Sequence, residues 1–320
     1  MDNQNQHQQE TRPITPVPTS PATVPAMPAI NRMPPTKKPR RWKRILLALF
    51  VLPVLCCGLS LLVYVIIPPP QTNILVMGLD SRDGEGWMAR SDSVMLVGIN
   101  PGALRTSLLS IPRDLSVNVP GYGLQRINTV NVLGEMESAG TGPALLGASI
   151  TQDLQVSVDR YVRVDFNGFT ALVDAVGGVT IDVPRVIEDW MYPTADYGTM
   201  HVRFEAGVQH MDGERALIYA RTRHADDDYR RAERQQQVIS ALLGKLANPF
   251  NWPGALVALN SAVDTDLSVV DMALLAPPVV VNMGRFEQLV IEREHITASA
   301  SGAAIPNYTV ISPWLDTRFR

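Results

Sequence analysis

"TNILVMGLDSRDGEGWMARSDSVMLVGINPGALRTSLLSIPRD", residues 72–114, contains three apolar runs separated by polar clusters. The runs Thr72 to Asp80, Ser93 to Asn100 and Arg105 to Asp114 are short, rich in Val, Ile, Leu and Met, and bounded by Gly, Pro, Asn or Asp. That pattern predicts strands buried in a sheet. "NPGALR" between the second and third has hairpin length. Downstream, small and apolar residues from Asn128 to about Gln152 predict helix, weakened by Gly134, Gly140, Gly142 and Gly147. Asp159 to Phe166 reads as a strand, "NGFTALVDAVGG" as a helix stopped by Gly177 and Gly178, and "VTIDVP" as a further strand. Helices follow near Gly213 to Tyr219 and from Asp228 to Leu246. The alternation predicts an α/β fold: a single domain with a central mixed β-sheet covered by helices. After Asn248 the chain is expected to supply one or two more helices, and residues 286–320 either add a strand or lie along the surface.

Before this domain stands "ILLALFVLPVLCCGLSLLVYVII", Ile45 to Ile67, without a charged residue. As a helix with about 1.5 Å rise per residue, it matches a hydrocarbon core of about 30 Å. Six cationic residues between Lys37 and Arg44 precede it, so the positive-inside rule places the N-terminus in the cytoplasm and everything from Pro68 onward outside. The run is long for a cleaved signal peptide and ends in Ile-Ile-Pro-Pro-Pro without a small-residue site. Cys56 and Cys57 lie inside it and read as small apolar side chains. The expected organisation is a disordered basic tail (1–44), a transmembrane helix (45–67), a linker (68–71), a catalytic domain (72–245) and a C-terminal extension of that domain (246–320). The tail's Gln, Pro, Thr and Asn cannot bury enough surface to offset ordering entropy. Of 28 Lys and Arg and 31 Asp and Glu in the whole chain, eight basic and two acidic residues fall in 1–44, so the rest is net acidic.

Polar residues gather at strand ends, where ligands bind in open α/β sheets: Asp80 and Arg82 in "GLDSR", Arg90 and Asp92 in "RSD", Arg113 and Asp114 in "SIPRD", Arg126 and Asn128 in "RIN". Asp80 and Asp92 offer hard oxygen ligands of the kind Mg²⁺ takes beside water and substrate phosphates. A single carboxylate–guanidinium pair is more often an exposed ion pair; several at successive strand ends point to a site. The stretch "RTRHADDDYRRAERQQQVI", 221–239, adds an arginine-rich face. On a helix from Asp228, Arg231, Arg234 or Gln235, and Val238 recur on one stripe. Arginine grips phosphate with a planar fork that keeps its charge. Nucleic acid is disfavoured, because carboxylates interleave the arginines and the outer domain is acidic, whereas a nucleic-acid footprint is a net basic stripe. No G-x-S-x-G elbow, His-Glu-x-x-His or P-loop is present, and His201, His210, His224 and His295 show no metal spacing.

With these residues in order, "NILVMGLDSR", "RSDSVMLVGINP", "LLSIPRD", "RINTV", "VDFNGFTALVDAVGGVTIDVP" and "LIYARTRHADDDYRRAERQQQVI" resemble the LytR-CpsA-Psr family of cell-wall enzymes over roughly residues 72–240. The resemblance implies an extracytoplasmic phosphotransferase that moves a glycopolymer from a polyprenyl-pyrophosphate carrier to a peptidoglycan hydroxyl. It implies Mg²⁺ at Asp80 and Asp92, and Arg82, Arg90, Arg113, Arg221, Arg223, Arg231, Arg234 and Gln235 around the pyrophosphate. It assigns catalysis to Arg113, Arg231 and Asp228, the last as candidate base. Arg230 stands where the family often has glycine, leaving Arg230 and Arg231 both as candidates to face the ligand. The alternatives are a pyrophosphatase that uses water on the same lipid, and a non-enzymatic polyprenyl-phosphate-binding wall or regulatory protein.

Overall fold

The computed structural model describes residues 41–81, 86–194, 198–222, 228–282 and 286–320, with the side chains of Asp228, Tyr229 and a few others outside the description. The described residues fall into two units, 41–57 and 58–320. Helix α1 (Arg41–Ile66) includes Leu49–Ile66, the one described helix long and apolar enough to cross a membrane.

After α1 come β1 (Thr72–Leu79), β2 (Ser91–Asn100), β3 (Arg105–Ile111), β4 (Ser116–Val119) and β5 (Gly123–Arg126). Helices α2 (Ile127–Glu137) and α3 (Gly142–Leu154) lead to β6 (Arg160–Val164), α4 (Phe166–Ala175) and β7 (Val179–Val183). A hairpin of β8 (Ile187–Pro193) and β9 (Thr199–Phe204) precedes β10 (Gly207–Met211), α5 (Gly213–Arg221) and α6 (Asp228–Leu246). The remainder forms α7 (Trp252–Ala262), β11 (Val263–Thr265), α8 (Val269–Asn282), β12 (Glu287–Val290), β13 (Ile296–Ala298), β14 (Ala304–Pro306) and α9 (Tyr308–Arg318).

The main described sheet has the order β11-β6-β1-β2-β3-β12. β1 pairs antiparallel with β2 and parallel with β6, and β3 pairs antiparallel with β2 and parallel with β12, so the sheet is mixed as expected. Successive side chains of a strand point to opposite faces. Leu75, Met77 and Leu79 therefore join one core with Ile127, Leu146, Ile150, Ile311 and Leu315, while Ile74 joins another with Met95, Val97, Leu275 and Val279. Both faces are covered, which is why β1 to β3 read as near-continuous apolar runs. A third core gathers α4, β7, α5 and α7 around Val173, Val179, Tyr219 and Ala255.

One local expectation is corrected and another is resolved. The helix expected over 128–152 is two helices, because the chain turns at Gly140, whose φ of +86° suits glycine. Of the two alternatives for residues 286–320, the added strand is the one observed: β12 extends the sheet, and α9 then buries Ile311, Leu315 and Phe319. Gly98 on β2 makes that docking possible, since a Cβ there would stand 2.9 Å from the Phe319 ring and 3.2 Å from the Arg318 carbonyl oxygen.

Candidate functional site

The loop from Gly86 to Arg90 is held from below by a buried ionic cluster. Arg163 on β6 is 1% exposed; its guanidinium meets Glu135 of α2 at 2.5 Å and Asp264 of β11 at 2.6 Å, and lies 4.8 Å over the Trp87 ring. It also donates to Asn131 Oδ1, and Asn131 Nδ2 in turn donates to the carbonyls of Trp87 and Ala89 at 2.9 and 2.8 Å. Burial works to raise the Glu135 pKa, but the Gly140 and Gly142 N–H groups and the Arg163 guanidinium outweigh it and hold the carboxyl below its ordinary value. Glu135, Arg163 and Asp264 were not singled out in the sequence, because these ionic partners are far apart along the chain.

Above this support, the Asp80 N–H donates to the Arg90 carbonyl at 3.1 Å, closing the mouth of the β1–β2 hairpin. Asp80, Arg90, Asp92, Arg113, Asp114 and Arg126 line an open polar cleft of about 700 Å³. Arg113 donates to Asp92 Oδ2 at 3.2 Å and lies 3.8 Å from Asp114, so two carboxylates fix the fork's orientation. Asn128, also on the rim, has a buried Oδ1 without a hydrogen-bond partner among the described residues.

Asp80 and Asp92 also line a second, narrower cavity of about 250 Å³, whose walls include Ser93, Phe166, Arg221, Arg231 and Gln235. The two cavities thus share their acidic wall. Arg221, the last residue of α5, is placed by aromatic groups: its guanidinium lies 3.9 Å over the Phe166 ring and donates to the Tyr192 hydroxyl at 3.2 Å. Burial raises the Tyr192 pKa while Arg221 works against it, so the phenol stays protonated near neutrality. Phe166 and Tyr192 were not picked from the sequence; Phe166 follows the "VD" of a quoted motif, whereas Tyr192 carried no signal.

Helix α6 settles the stripe left open above. Arg231, Gln235 and Val238 face the cavity, and Gln235 Oε1 accepts from the Ser93 hydroxyl at 3.0 Å. Arg234 lies off that stripe. It is buried, is not among the residues that line the cavity, and donates to the Thr222 carbonyl, which ties α6 to the end of α5. Arg230 is exposed and pairs with Glu233 at 2.9 Å, leaving Arg231 as the member that faces inward. Arg82 and Arg223 lie outside the described residues, as does the side chain of Asp228, whose backbone begins α6.

Beneath the second cavity, and sharing Val76, Val164, Phe169 and Ile239 with it, is an apolar cavity of about 180 Å³ between the sheet, α6, α7 and α8. Among the described residues no group of three or more His, Cys, Asp or Glu could enclose a metal. Two carboxylates beside arginines are nonetheless the donor set that suits Mg²⁺ carrying its own waters and substrate phosphates.

The sequence profile of the LytR_cpsA_psr family matches residues 69–304. Over 202 residues, 62% of this chain and 59% of the relative, the chain is 36% identical to the polyisoprenyl-teichoic acid–peptidoglycan teichoic acid transferase TagU of Oceanobacillus iheyensis. It spans between 44% and 64% of the length of three such transferases. Among solved structures, B. subtilis TagV superposes with a TM-score of 0.62 at 26% identity, covering 78% of this chain and 95% of that one. TagT bound to LI-WTA gives 0.57 at 25% identity, covering 78% and 89%.

Proposed function

The chain belongs to the LytR_cpsA_psr family, and from that premise we propose that it is a membrane-anchored phosphotransferase acting on a polyprenyl-pyrophosphate-linked glycopolymer. The acceptor is a hydroxyl of peptidoglycan. The observation that carries this reading is the continuity of three spaces: a wide arginine-lined cleft, a narrower cavity sharing Asp80 and Asp92 with it, and an apolar cavity below. A glycan, a pyrophosphate and an isoprenoid chain have those chemistries in that order.

Phosphoryl transfer demands positioning and neutralisation of charge more than covalent help. Arg113, steadied by Asp92, and Arg221, steadied by Phe166 and Tyr192, present fixed forks to the pyrophosphate oxygens, and Arg231 and Gln235 close the opposite wall. Mg²⁺ held by Asp80 and Asp92 would supply further neutralisation of phosphate charge. The acceptor oxygen bonds to the glycan-bearing phosphorus, the bond from that phosphorus to the bridging oxygen breaks, and polyprenyl phosphate leaves. The proton of the hydroxyl passes to a base, for which Asp228 at the start of α6 is the candidate. With α1 read as a membrane anchor and the N-terminus as cytoplasmic, the site lies outside the cell, where peptidoglycan is.

The test uses the full chain in proteoliposomes with purified lipid-linked glycan, with and without peptidoglycan. Arg113→Ala and Arg231→Ala are expected to abolish formation of the conjugate while the folded fraction is preserved. Unchanged transfer by both variants rejects the proposal; release of phosphorylated glycan without peptidoglycan, and no conjugate with it, assigns a pyrophosphatase. Removal of Mg²⁺ by a chelator is expected to stop transfer.

A further inference from the structure

Helices α7 and α8 are apolar on both faces. Inward, Leu256, Leu259, Leu275 and Val279 line the apolar cavity. Outward, Val270, Ala273, Leu274, Pro277 and Val281 of α8 recur at helical spacing, and Val270 and Val281 are 66% and 62% exposed. Val257 of α7 is 71% exposed, and Phe250, in the turn before it, 90%. No charged residue occurs between Lys245 and Asp264, and the only one in α8, Asp271, is engaged by Ser268 and Arg160. A helix at a water-facing surface carries polar residues on its outer side, and one that is apolar all round belongs in a core or a membrane.

A contact with α1 points to the occupant. Tyr64, in the last turn of α1, donates its hydroxyl hydrogen to the Leu274 carbonyl oxygen at 3.1 Å. The outward stripe of α8 therefore sits where the span Leu49–Ile66 ends. Interfacial helices bury such a face about 5–10 Å into the headgroup and acyl boundary.

We propose that the outward faces of α7 and α8 lie in the outer leaflet of the bilayer, so that the apolar cavity between them opens to lipid instead of water. The inference rests on reading α1 as the membrane anchor. It gives an isoprenoid-linked donor a path from the leaflet to the site along which its chain stays in apolar surroundings.

The experiment reconstitutes the full chain in phosphatidylglycerol–phosphatidylethanolamine vesicles containing a phospholipid with a diazirine in its acyl chain, irradiates them, and maps adducts by mass spectrometry. Adducts are expected in α1 and on peptides covering residues 249–259 and 269–282, with none on the β8–β9 hairpin. Labelling confined to α1 overturns the proposal. Labelling absent from α1 as well rejects the anchor on which it rests. Copy-to-copy cross-links through Val257 or Val281, with lipid adducts missing there, would overturn it in favour of a second copy of the chain. Phe250→Glu, Val257→Glu and Val281→Glu combined should keep the unfolding transition yet lose the adducts outside α1, and retained adducts in that variant would also overturn it. The adducts need no turnover, so failure of the transferase reading is seen separately.

Discussion

Replacing Glu135 by alanine tests the buried cluster that supports the loop from Gly86 to Arg90. The change removes the carboxylate 2.5 Å from a guanidinium that is 1% exposed, leaving only the partly solvated Asp264 to balance it. Breaking a buried pair from one side costs about 3–5 kcal/mol, because the surviving charge stays desolvated. Asp264 keeps the expected loss near the lower end, about 3 kcal/mol. For a domain of this size each kcal/mol moves the melting temperature by about 2–4 °C, so a fall of roughly 6–12 °C follows. Thermal and urea unfolding of the full chain in detergent, followed by tryptophan fluorescence, measures it, with Trp87 over the Arg163 guanidinium as a local reporter. Replacing both partners, Glu135→Leu with Arg163→Met, should recover much of the loss, since no uncompensated cation is then buried. A single variant within about 1 kcal/mol of the parent would refute this account of the cluster, as would a double variant no more stable than the single.

Because the folded Glu135 carboxyl is held below its ordinary value of 4.5, its contribution is complete above that pH and is lost as pH falls through the depressed folded value. The melting difference between the parent and Glu135→Gln should therefore shrink on acidification below the ordinary value and stay constant above it. Gly98→Ala should cost about 1–3 kcal/mol in urea unfolding, because the new methyl meets the Phe319 ring at 2.9 Å and the Arg318 carbonyl oxygen at 3.2 Å. Tyr192→Phe removes one of two restraints on Arg221 and should weaken transfer by roughly 2- to 10-fold in kcat/KM, the effect of one ordinary hydrogen bond. Adding Phe166→Leu, which takes away the stacked ring, should deepen that loss.

The sheet was legible because β1, β2 and β3 are buried on both faces, so their composition alone sets them apart from everything around them. The cavity-facing stripe of α6 was legible for a related reason: Arg231 and Gln235, four residues apart, share a face of any helix. Arg234 shows where that reasoning stops. Its chemistry suits a phosphate, yet it also donates to the Thr222 carbonyl, a partner no periodicity reveals. The β8–β9 hairpin was missed because "EDWMYP" and "TMHVRF" lack regular alternation; the pairing register slips between Asp189 and Tyr192, leaving Trp190 and Met191 both outward. α9 was missed because Pro313 interrupts a short, weakly amphipathic segment whose place is decided by the space above Gly98.

The two outermost ribbons of the main sheet, β11 and β12, both come from the last quarter of the chain. Shortening the protein after Leu246 would therefore strip both margins at once, baring the peptide groups of β6 and β3 to any passing strand. Such a fragment would retain every arginine that lines the cleft and still clump, so the closing seventy-odd residues act as selvedge to the weave as well as walling the apolar cavity.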